Sequence, residues 1–388
     1  MFSFWGFFYF KFSVLKLFVM FTEDDAFYMN RAISLAENGT GWVNPNPLVG
    51  AVIVKDGRII AEGWHKKIGG LHAERNAFAA CKEDCTGATM YVTLEPCCHY
   101  GKTPPCTEAI IEHKIARVVV GLLDPNPLVA GKGMEILVNN GIVVDVCPDA
   151  GLFKFQNRIF LKYITHSRPW VVLKSAMTLD GKIATYCGDS KWVSSKESRD
   201  YSQSLRAKYM AIMVGSNTVR LDNPTLNCRL KGNVRQPIRI IVDSKAMIDL
   251  NSNLVLTAKD FPLIVAHTSE VSLDKINELR DRGVETLLCK TCDNRVDVED
   301  MLALLAKRGV DSILLEGGGE LNYSFVDKNC VDEVCFFIAP KMVGGRNAKT
   351  PVAGEGKQMM RDALCLSDVS TKMIGGDILV NALVKKNG

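Results

Sequence analysis

Two pieces of sequence decide this fold: His72-Ala73-Glu74 and Glu95-Pro96-Cys97-Cys98-His99-Tyr100-Gly101-Lys102-Thr103-Pro104-Pro105-Cys106. Zinc prefers a tetrahedral set of thiolates and imidazoles, and a catalytic site keeps three protein ligands so that water can take the fourth position. His72, Cys97 and Cys106 supply such a set, with Glu74 as the acid/base two residues from the first ligand. The two pieces therefore predict a catalytic zinc site around which the elements are arranged.

The order of these residues is typical of zinc nucleobase deaminases, in which His-x-Glu precedes Pro-Cys and a second Cys. Eight residues separate Cys97 from Cys106, so residues 98–105 must form a loop between the ligands. Cys98 competes with Cys97, which we favour because it directly follows Pro96. The alternative is a closed structural site that uses His72 or His99 with the three cysteines. Glu74 argues against it, because a structural site needs no carboxylate beside a ligand.

Composition predicts about two domains from 388 residues, with ample cores at 47% hydrophobic residues. The net charge of +4 is small and the basic residues are scattered, so neither a nucleic-acid surface nor an anionic-membrane surface is expected. Thirteen cysteines without a regular spacing indicate a reducing compartment. We expect a cytoplasmic protein.

Residues 1–22 differ from the rest of the chain. They are aromatic and apolar, but Lys11 and Lys16 leave no apolar run long enough to span a membrane. The basic start and small-residue cleavage site of a signal peptide are also missing. We expect a non-native or flexible extension, with translation beginning at Met20. A membrane-anchoring segment stays as the alternative.

The first half alternates helical and extended patterns, which predicts an α/β layer sandwich. The ligands fall near helix starts, where the helix dipole favours thiolates. Ser167-Arg168-Pro169 marks a boundary, and residues 150–168 are expected to connect the two halves. Helices are predicted over 23–38, from 73, over 107–113 and over 133–140, and strands over 48–54, 58–63, 89–94 and 117–122.

The second half begins a new series of apolar strands. A strand at 312–316 runs into Gly317-Gly318-Gly319 and a helix over 320–327, which in outline is a phosphate cradle. Ligands of α/β sheets bind beyond the carboxyl ends of strands. The other predicted strands are 170–174, 210–215, 239–243, 263–267, 333–339 and 378–384, with helices over 198–208 and 298–308.

After Met20 the chain contains six motifs in this order: Asn44-Pro45-Asn46-Pro47-Leu48-Val49-Gly50, His72-Ala73-Glu74, the block from Glu95 to Cys106, Asp124-Pro125-Asn126-Pro127, Leu179-Asp180-Gly181-Lys182 and Glu316-Gly317-Gly318. With these motifs the chain resembles the bifunctional riboflavin biosynthesis family, a fused pyrimidine deaminase and reductase. Cys98 stands where the family usually has Ser, and Thr178 where Ser is common. The resemblance implies a cytidine-deaminase-like three-layer α/β/α domain over 23–166 and a dihydrofolate-reductase-like α/β domain over 167–388.

The family's two steps are implied for this chain. The first is zinc-dependent hydrolytic deamination of 2,5-diamino-6-(5-phosphoribosylamino)pyrimidin-4-one to 5-amino-6-(5-phosphoribosylamino)uracil and ammonia. The second is reduction of the ribosyl group to ribityl with NADPH. The expected partner is this small molecule, with no nucleic acid and no membrane, and the oligomeric state stays open.

The resemblance also implies site residues. Glu74 is the catalytic acid/base, and Asn46, His65, His99 and Lys102 meet the pyrimidine, sugar or phosphate. Ser244 with Lys245 is a candidate site for the 2'-phosphate of NADPH. The residues implied to line NADPH are Ala176, Trp192, Thr218, Asp222, Ser244, Gly318, Gly319, Glu320, Leu321, Asn322, Tyr323 and Ser324. Those implied to line the reductase substrate are Ser190, Arg206, Leu226, Arg229 and Glu316.

Three alternatives remain at this stage. One is a nucleic-acid deaminase with an appended domain, against which stand the long ligand spacing and the lack of a basic patch. Another is a zinc-stapled binding module fused to a nucleotide-sensing domain, against which stands Glu74. The third is a chain in which only one half is active.

Overall fold

The computed structural model describes residues 21–101, 103–126 and 129–385. Residues 1–20, with most of the predicted extension, and the predicted phosphate ligand Lys102 lie outside the described residues. Phe21 and Thr22, which are predicted to lie in the extension, contact the first domain: Phe21 packs on its core and Thr22 caps the first helix. In this described part of the chain, no helix is both long enough and apolar enough to cross a membrane.

The first domain is a five-stranded sheet between two layers of helices. The strand order is β2-β1-β3-β4-β5, with β1 antiparallel to both neighbours and β3, β4 and β5 parallel. Its elements are α1 (Glu23–Ala36), β1 (Gly50–Lys55), β2 (Arg58–Trp64), α2 (Ala73–Ala80), β3 (Thr89–Val92), α3 (Cys106–Glu112), β4 (Arg117–Val120), α4 (Lys132–Asn139), β5 (Val143–Val146), α5 (Gly151–Gln156) and α6 (Arg158–His166).

Alternate residues of the strands pack into two separate hydrophobic cores, one on each face of the sheet. Ile53 and Val92 pack under α2, α3 and α4, whereas Val52 and Tyr91 pack under α1, α5 and α6. This is the alternation that a sheet covered on both faces requires. Residues 150–168, which are predicted to connect the two halves, contain α5 and α6. These helices close the second helical layer, with Phe153 in that core.

The second domain is built on a nine-stranded sheet of order β10-β9-β8-β7-β13-β6-β14-β16-β15. The first seven strands in this order, β10 through β14, are parallel to one another. Strands β16 and β15 follow at the edge, each antiparallel to its neighbour. Its elements are β6 (Trp170–Thr178), α7 (Lys196–Lys208), β7 (Ala211–Gly215), α8 (Ser216–Asp222), β8 (Ile238–Val242), α9 (Asn253–Leu256), β9 (Leu263–His267), α10 (Leu273–Asp281), β10 (Glu285–Leu288), the short strands β11 (Thr291–Cys292) and β12 (Arg295–Val296), α11 (Val298–Lys307), β13 (Ser312–Leu315), α12 (Gly319–Asp327), β14 (Glu333–Ala339), β15 (Leu366–Ile374) and β16 (Asp377–Val384).

Ion pairs join the two domains. Arg158 Nη2 on α6 lies 2.9 Å from Glu333 Oε2, and Lys162 Nζ lies 2.5 Å from Asp332 Oδ2, both at the start of β14. These pairs are largely withdrawn from solvent. The last helix of the first domain is thereby attached to the sheet of the second.

Candidate active sites

Three side chains of the first domain converge as predicted ligands would. His72 Nδ1 lies 3.4 Å from Cys97 Sγ and 3.4 Å from Cys106 Sγ, and all three donor atoms lie within 4.8 Å of one another. A tetrahedral zinc ion with bonds of about 2.0 Å to nitrogen and about 2.3 Å to sulfur separates such atoms by about 3.5 Å. The donor set therefore fits zinc in both chemistry and spacing.

Each donor is positioned by the end of an element. His72 immediately precedes α2, Cys106 is the first residue of α3, and Cys97 follows β3 in a loop. The backbone N–H of Cys106 donates to Cys97 Sγ at 3.3 Å. Hydrogen bonding from Cys106 and the nearby His72 lower the pKa of the Cys97 thiol against the opposing effect of burial. The start of α3 thus favours a thiolate at Cys97.

Glu95 holds the loop that carries Cys97, a function that sequence reasoning missed. Its buried carboxylate accepts backbone N–H groups of Asp124 at 3.2 Å, Gly131 at 3.0 Å, Gly133 at 3.1 Å and Met134 at 3.4 Å. A buried carboxylate is satisfied by such donors. The available signal was an acidic residue placed at a strand end directly before Pro-Cys.

Glu74 lies in the first turn of α2 and is 3% exposed. Burial, and secondarily the charge of Cys97, raise the pKa of its carboxyl group. Among the described residues, Cys98 is not part of the ligand group, and the side chain of His99 is exposed. The structure therefore brings Cys97 rather than Cys98 to His72, with a buried carboxyl group nearby.

Two further predicted residues lie beside the ligands. Asn46 Nδ2 is 3.2 Å from His65 Nε2, and the ring of His65 meets that of His72 edge-on with centroids 5.5 Å apart. His65 Nδ1 lies 3.0 Å from the carbonyl oxygen of Leu71 and so carries the proton, which leaves Nε2 to accept from Asn46. Burial lowers the pKa of His65, which favours this neutral form.

The second site contains an acid that is largely withdrawn from solvent and lies between basic residues. Glu316 follows β13, and Arg206 of α7 donates to its carboxylate from Nε at 3.1 Å and Nη2 at 2.9 Å. Lys174 Nζ on β6 lies 3.9 Å from Glu316 Oε2. Burial alone would raise the pKa of Glu316, but the charges of Arg206 and Lys174 lower it to about 2. Sequence analysis placed Lys174 on a strand but gave it no function.

The two predicted arginines differ in what they can still bind. Arg206 also donates to the carbonyl oxygen of Asn227 at 3.1 Å, so three of its five N–H groups are used within the protein. The side chain of Arg229 is exposed. Leu226 is 4% exposed and packs in the core, so any contact of Leu226 with a substrate must come from its backbone.

The turn formed by Gly317, Gly318 and Gly319 leads into α12, as predicted. Gly318 caps α12, and a Cβ added there would lie 3.8 Å from Thr218 Oγ1. A Cβ on Gly319 would lie 2.6 Å from the carbonyl oxygen of Thr350, so only glycine fits. Asn322 is fully buried and donates to the carbonyl oxygens of Gly317 at 3.1 Å and Pro351 at 2.7 Å. It braces the turn and presents no side chain to a ligand.

The remaining predicted residues of the second domain lie at several different places. Ser190 and Trp192 line one cavity, and Lys341 Nζ donates to the carbonyl oxygen of Trp192 at 2.7 Å. Ser244 Oγ accepts the N–H of Val296 at 3.0 Å. The Tyr323 hydroxyl donates to the carbonyl oxygen of Gly356, and the Ser324 hydroxyl donates to that of Glu320. Ala176 is half-buried on β6, and Asp222 is exposed at the end of α8.

Two family models match, one in each half of the chain. Residues 22–122 match the cytidine and deoxycytidylate deaminase zinc-binding region, and residues 169–380 match the RibD C-terminal domain. The riboflavin biosynthesis protein RibD of Actinobacillus pleuropneumoniae is 51% identical over 94% of this chain and 96% of its own length.

Solved structures give the same result. RibD from Acinetobacter baumannii superposes with a TM-score of 0.84 at 35% identity, covering 94% of this chain and 99% of that one. A diaminohydroxyphosphoribosylaminopyrimidine deaminase/5-amino-6-(5-phosphoribosylamino)uracil reductase from Thermotoga maritima gives 0.81 at 40% identity, covering 92% and 98%. The expected family and fold class are confirmed. This chain belongs to the RibD family of riboflavin biosynthesis proteins, and it contains both the zinc-binding deaminase domain and the NADPH-dependent reductase domain of that family.

Proposed function

We propose that residues 23–166 deaminate 2,5-diamino-6-(5-phosphoribosylamino)pyrimidin-4-one, and that residues 167–388 then reduce the ribosyl group of the product to ribityl. The observation that carries the first step is the approach of two thiols to 3.4 Å from one imidazole nitrogen, with the buried Glu74 beside them. The name of the Thermotoga maritima protein joins the same two activities.

In the deaminase site, zinc held by His72, Cys97 and Cys106 would act as a Lewis acid and lower the pKa of water for attack on the amino-bearing carbon. Glu74 takes one proton from the attacking water and gives it to the ring nitrogen. It then carries the second proton, from the added hydroxyl group, to the amino group, which leaves as ammonia as the C=O bond forms. Its burial suits this cycle, because a carboxyl group with a raised pKa can hold a proton between the two transfers.

Substrate contacts surround this centre. Asn46 and His65 orient the pyrimidine, with the neutral His65 ring fixed by the Leu71 carbonyl. His99 and Lys102, in the loop between the two cysteines, take the ribose phosphate. A loop that carries one imidazole and one ammonium group suits a dianionic ligand of this kind.

In the reductase site, NADPH would supply the hydride, and the protein positions and polarises the substrate. Glu316, fixed by Arg206, faces the reacting group, and Arg229 has its N–H groups available for the phosphate. Ser190 and the backbone of Leu226 complete the substrate side. The cofactor side consists of Ala176, Trp192, Thr218, Asp222, Ser244 and the turn from Gly318 to Ser324, in which Asn322 acts as a brace.

We also propose a cytoplasmic location and no nucleic-acid partner. All thirteen cysteines lie in the described residues and none of them forms a disulfide bond, which supports a reducing compartment. The small net charge of +4 with scattered basic residues supports a small-molecule substrate alone.

The test supplies zinc-loaded protein with the diamino substrate and NADPH and follows ammonia release together with NADPH oxidation. The wild type should do both. Glu74→Gln should release no ammonia yet still oxidise NADPH when given the deaminated intermediate, and Glu112→Gln, at the exposed end of α3, is the matched control. Ammonia without NADPH oxidation would refute the second step, and zinc-loaded protein that released no ammonia would refute the first.

A further inference from the structure

The loop formed by residues 41–46 belongs to the first domain but touches the second at two points. Gly41 has φ +79°, and a Cβ there would lie 2.3 Å from the carbonyl oxygen of Ala207, so the loop backbone packs directly on the end of α7. Asn44 Nδ2 donates to Asp311 Oδ2 at 2.6 Å, a bond in which both residues are buried. The loop is therefore held from outside its own domain.

Asp311 is itself firmly fixed by the second domain. Its backbone carbonyl accepts the N–H of Trp170 at 2.7 Å, and its Oδ1 accepts the hydroxyl of Ser312 at 2.7 Å. The Ser312 hydroxyl in turn accepts the N–H of Met210 at 2.9 Å. Residues at the starts of β6 and β13 thus orient Asp311, with Ser312 held in turn by the residue before β7, and Oδ2 of Asp311 accepts from Asn44.

The far end of the same loop reaches the zinc-ligand centre. Asn46, two residues after Asn44, lies 3.2 Å from His65, whose ring contacts that of His72. If the Asn44–Asp311 bond were lost, a buried amide would have no partner and the loop would have to rearrange. Asn46 and His65 would then lose the geometry in which they meet a substrate.

We propose that Asp311 of the reductase domain is a positioning residue for deamination, acting through Asn44 on Asn46 and His65. The inference rests on the proposed function of the first domain. It assigns one residue of the second domain to the chemistry of the first, and it makes the joining of the two domains part of how the deaminase binds its substrate.

The proposal separates three measurable quantities. His72 immediately precedes α2, Cys97 lies in the loop after β3 and Cys106 begins α3. None of these segments holds the Asn44–Asp311 bond, so zinc content should not change. Glu74, which moves the protons, lies on α2, so kcat should change less than KM. Glu316 lies five residues beyond Asp311, about 17 Å along an extended strand, so reduction of supplied intermediate should not change.

The test compares full-length variants in the deaminase assay. Asp311→Ala should raise KM for the diamino substrate about tenfold, the effect of losing one hydrogen bond to a charged group, with kcat within about twofold of wild type. Asp311→Asn should restore KM, because its amide oxygen still accepts from Asn44. Asn44→Ala is the second variant: it leaves the bonds of Asp311 within the reductase sheet intact and should raise KM equally.

Glu333→Gln is the control, because it weakens the interface pair with Arg158 without touching the 41–46 loop. It should leave KM unchanged. A folded Asp311→Ala or Asn44→Ala with wild-type KM would overturn the inference, and so would a rise in KM with Glu333→Gln as large as with Asp311→Ala. A wild type that releases no ammonia would instead refute the proposed function itself.

Discussion

The Arg206–Glu316 pair in the reductase site offers a prediction with an internal control. Arg206 spans both carboxylate oxygens of Glu316 and the carbonyl oxygen of Asn227, with three bonds between 2.9 and 3.1 Å. Lysine keeps the positive charge but cannot reproduce a planar fork. Arg206→Lys therefore loses two of the three bonds, and we expect the free energy of unfolding to fall by about 2–4 kcal/mol.

Activity should fall in one domain only. With one bond instead of a fork, Glu316 turns away from its position, and a displacement of about 1 Å can cost about 100-fold in rate. We therefore expect kcat/KM for reduction of 5-amino-6-(5-phosphoribosylamino)uracil to drop by about that factor, while ammonia release from the diamino substrate stays within about twofold. The measurements are NADPH absorbance with supplied intermediate, ammonia release, and urea unfolding.

Arg280→Lys on α10 is the control. This exposed arginine lies between β9 and β10 at the edge of the sheet, whereas Glu316 follows the central strand β13, so the substitution should change neither activity. Two results would refute the reasoning. Near-wild-type reduction by Arg206→Lys would show that the fork does not position Glu316. An equal loss of both activities would show that the substitution acts on the whole fold.

Two further predictions concern the first domain. Asp25→Asn should lower the free energy of unfolding by about 3–5 kcal/mol at pH 7, because Arg117 binds this buried carboxylate with two N–H groups at 2.7 and 3.1 Å. Burial opposes ionisation of Asp25, but hydrogen bonds from Arg117, Thr22 and Tyr91 hold the pKa of its carboxyl group well below the usual range. The ion pair therefore stabilises the wild type at neutral pH, and this stabilisation is lost only below about pH 4. The urea midpoint of Asp25→Asn should accordingly be lower than that of the wild type at pH 7, and the difference should shrink below about pH 4. Removal of zinc by a chelator should abolish ammonia release and leave reduction of supplied intermediate intact, and added zinc should restore ammonia release. Loss of both activities would contradict a reductase site that works without zinc.

The zinc-ligand centre could be predicted because its signals are local. Ligand identity follows from zinc chemistry, and the elements that carry His72, Cys97 and Cys106 are set by short apolar patterns next to them. The strand ending before Glu95 and the helix beginning at Cys106 lie within two residues of their predicted positions. The choice of Cys97 over Cys98 rested on its position directly after Pro96, and the grouping of Cys97 with His72 and Cys106 supports that choice.

Contacts between distant segments could not be predicted in this way. The four N–H groups that satisfy Glu95 come from residues 124–134, and Asn44 meets Asp311 across 267 positions. Such pairs depend on the order of strands in the sheets, which periodicity does not specify. The sequence patterns do not predict α6 within residues 150–168, nor do they predict β15, whose mostly exposed residues show no apolar alternation.

Strand β13 explains why the proposed influence of Asp311 should be fixed and not switched. All four of its residues are buried, and it is paired on one side with β6 and on the other with β7. Asp311 precedes the strand and Glu316 follows it, so a residue for each site is attached to one rigid segment. A switch requires an element with two arrangements of similar free energy, which a central buried strand does not provide. We therefore expect KM for deamination to be independent of whether the reductase pocket is filled, and a change in that KM on adding excess reductase product would show that β13 does move.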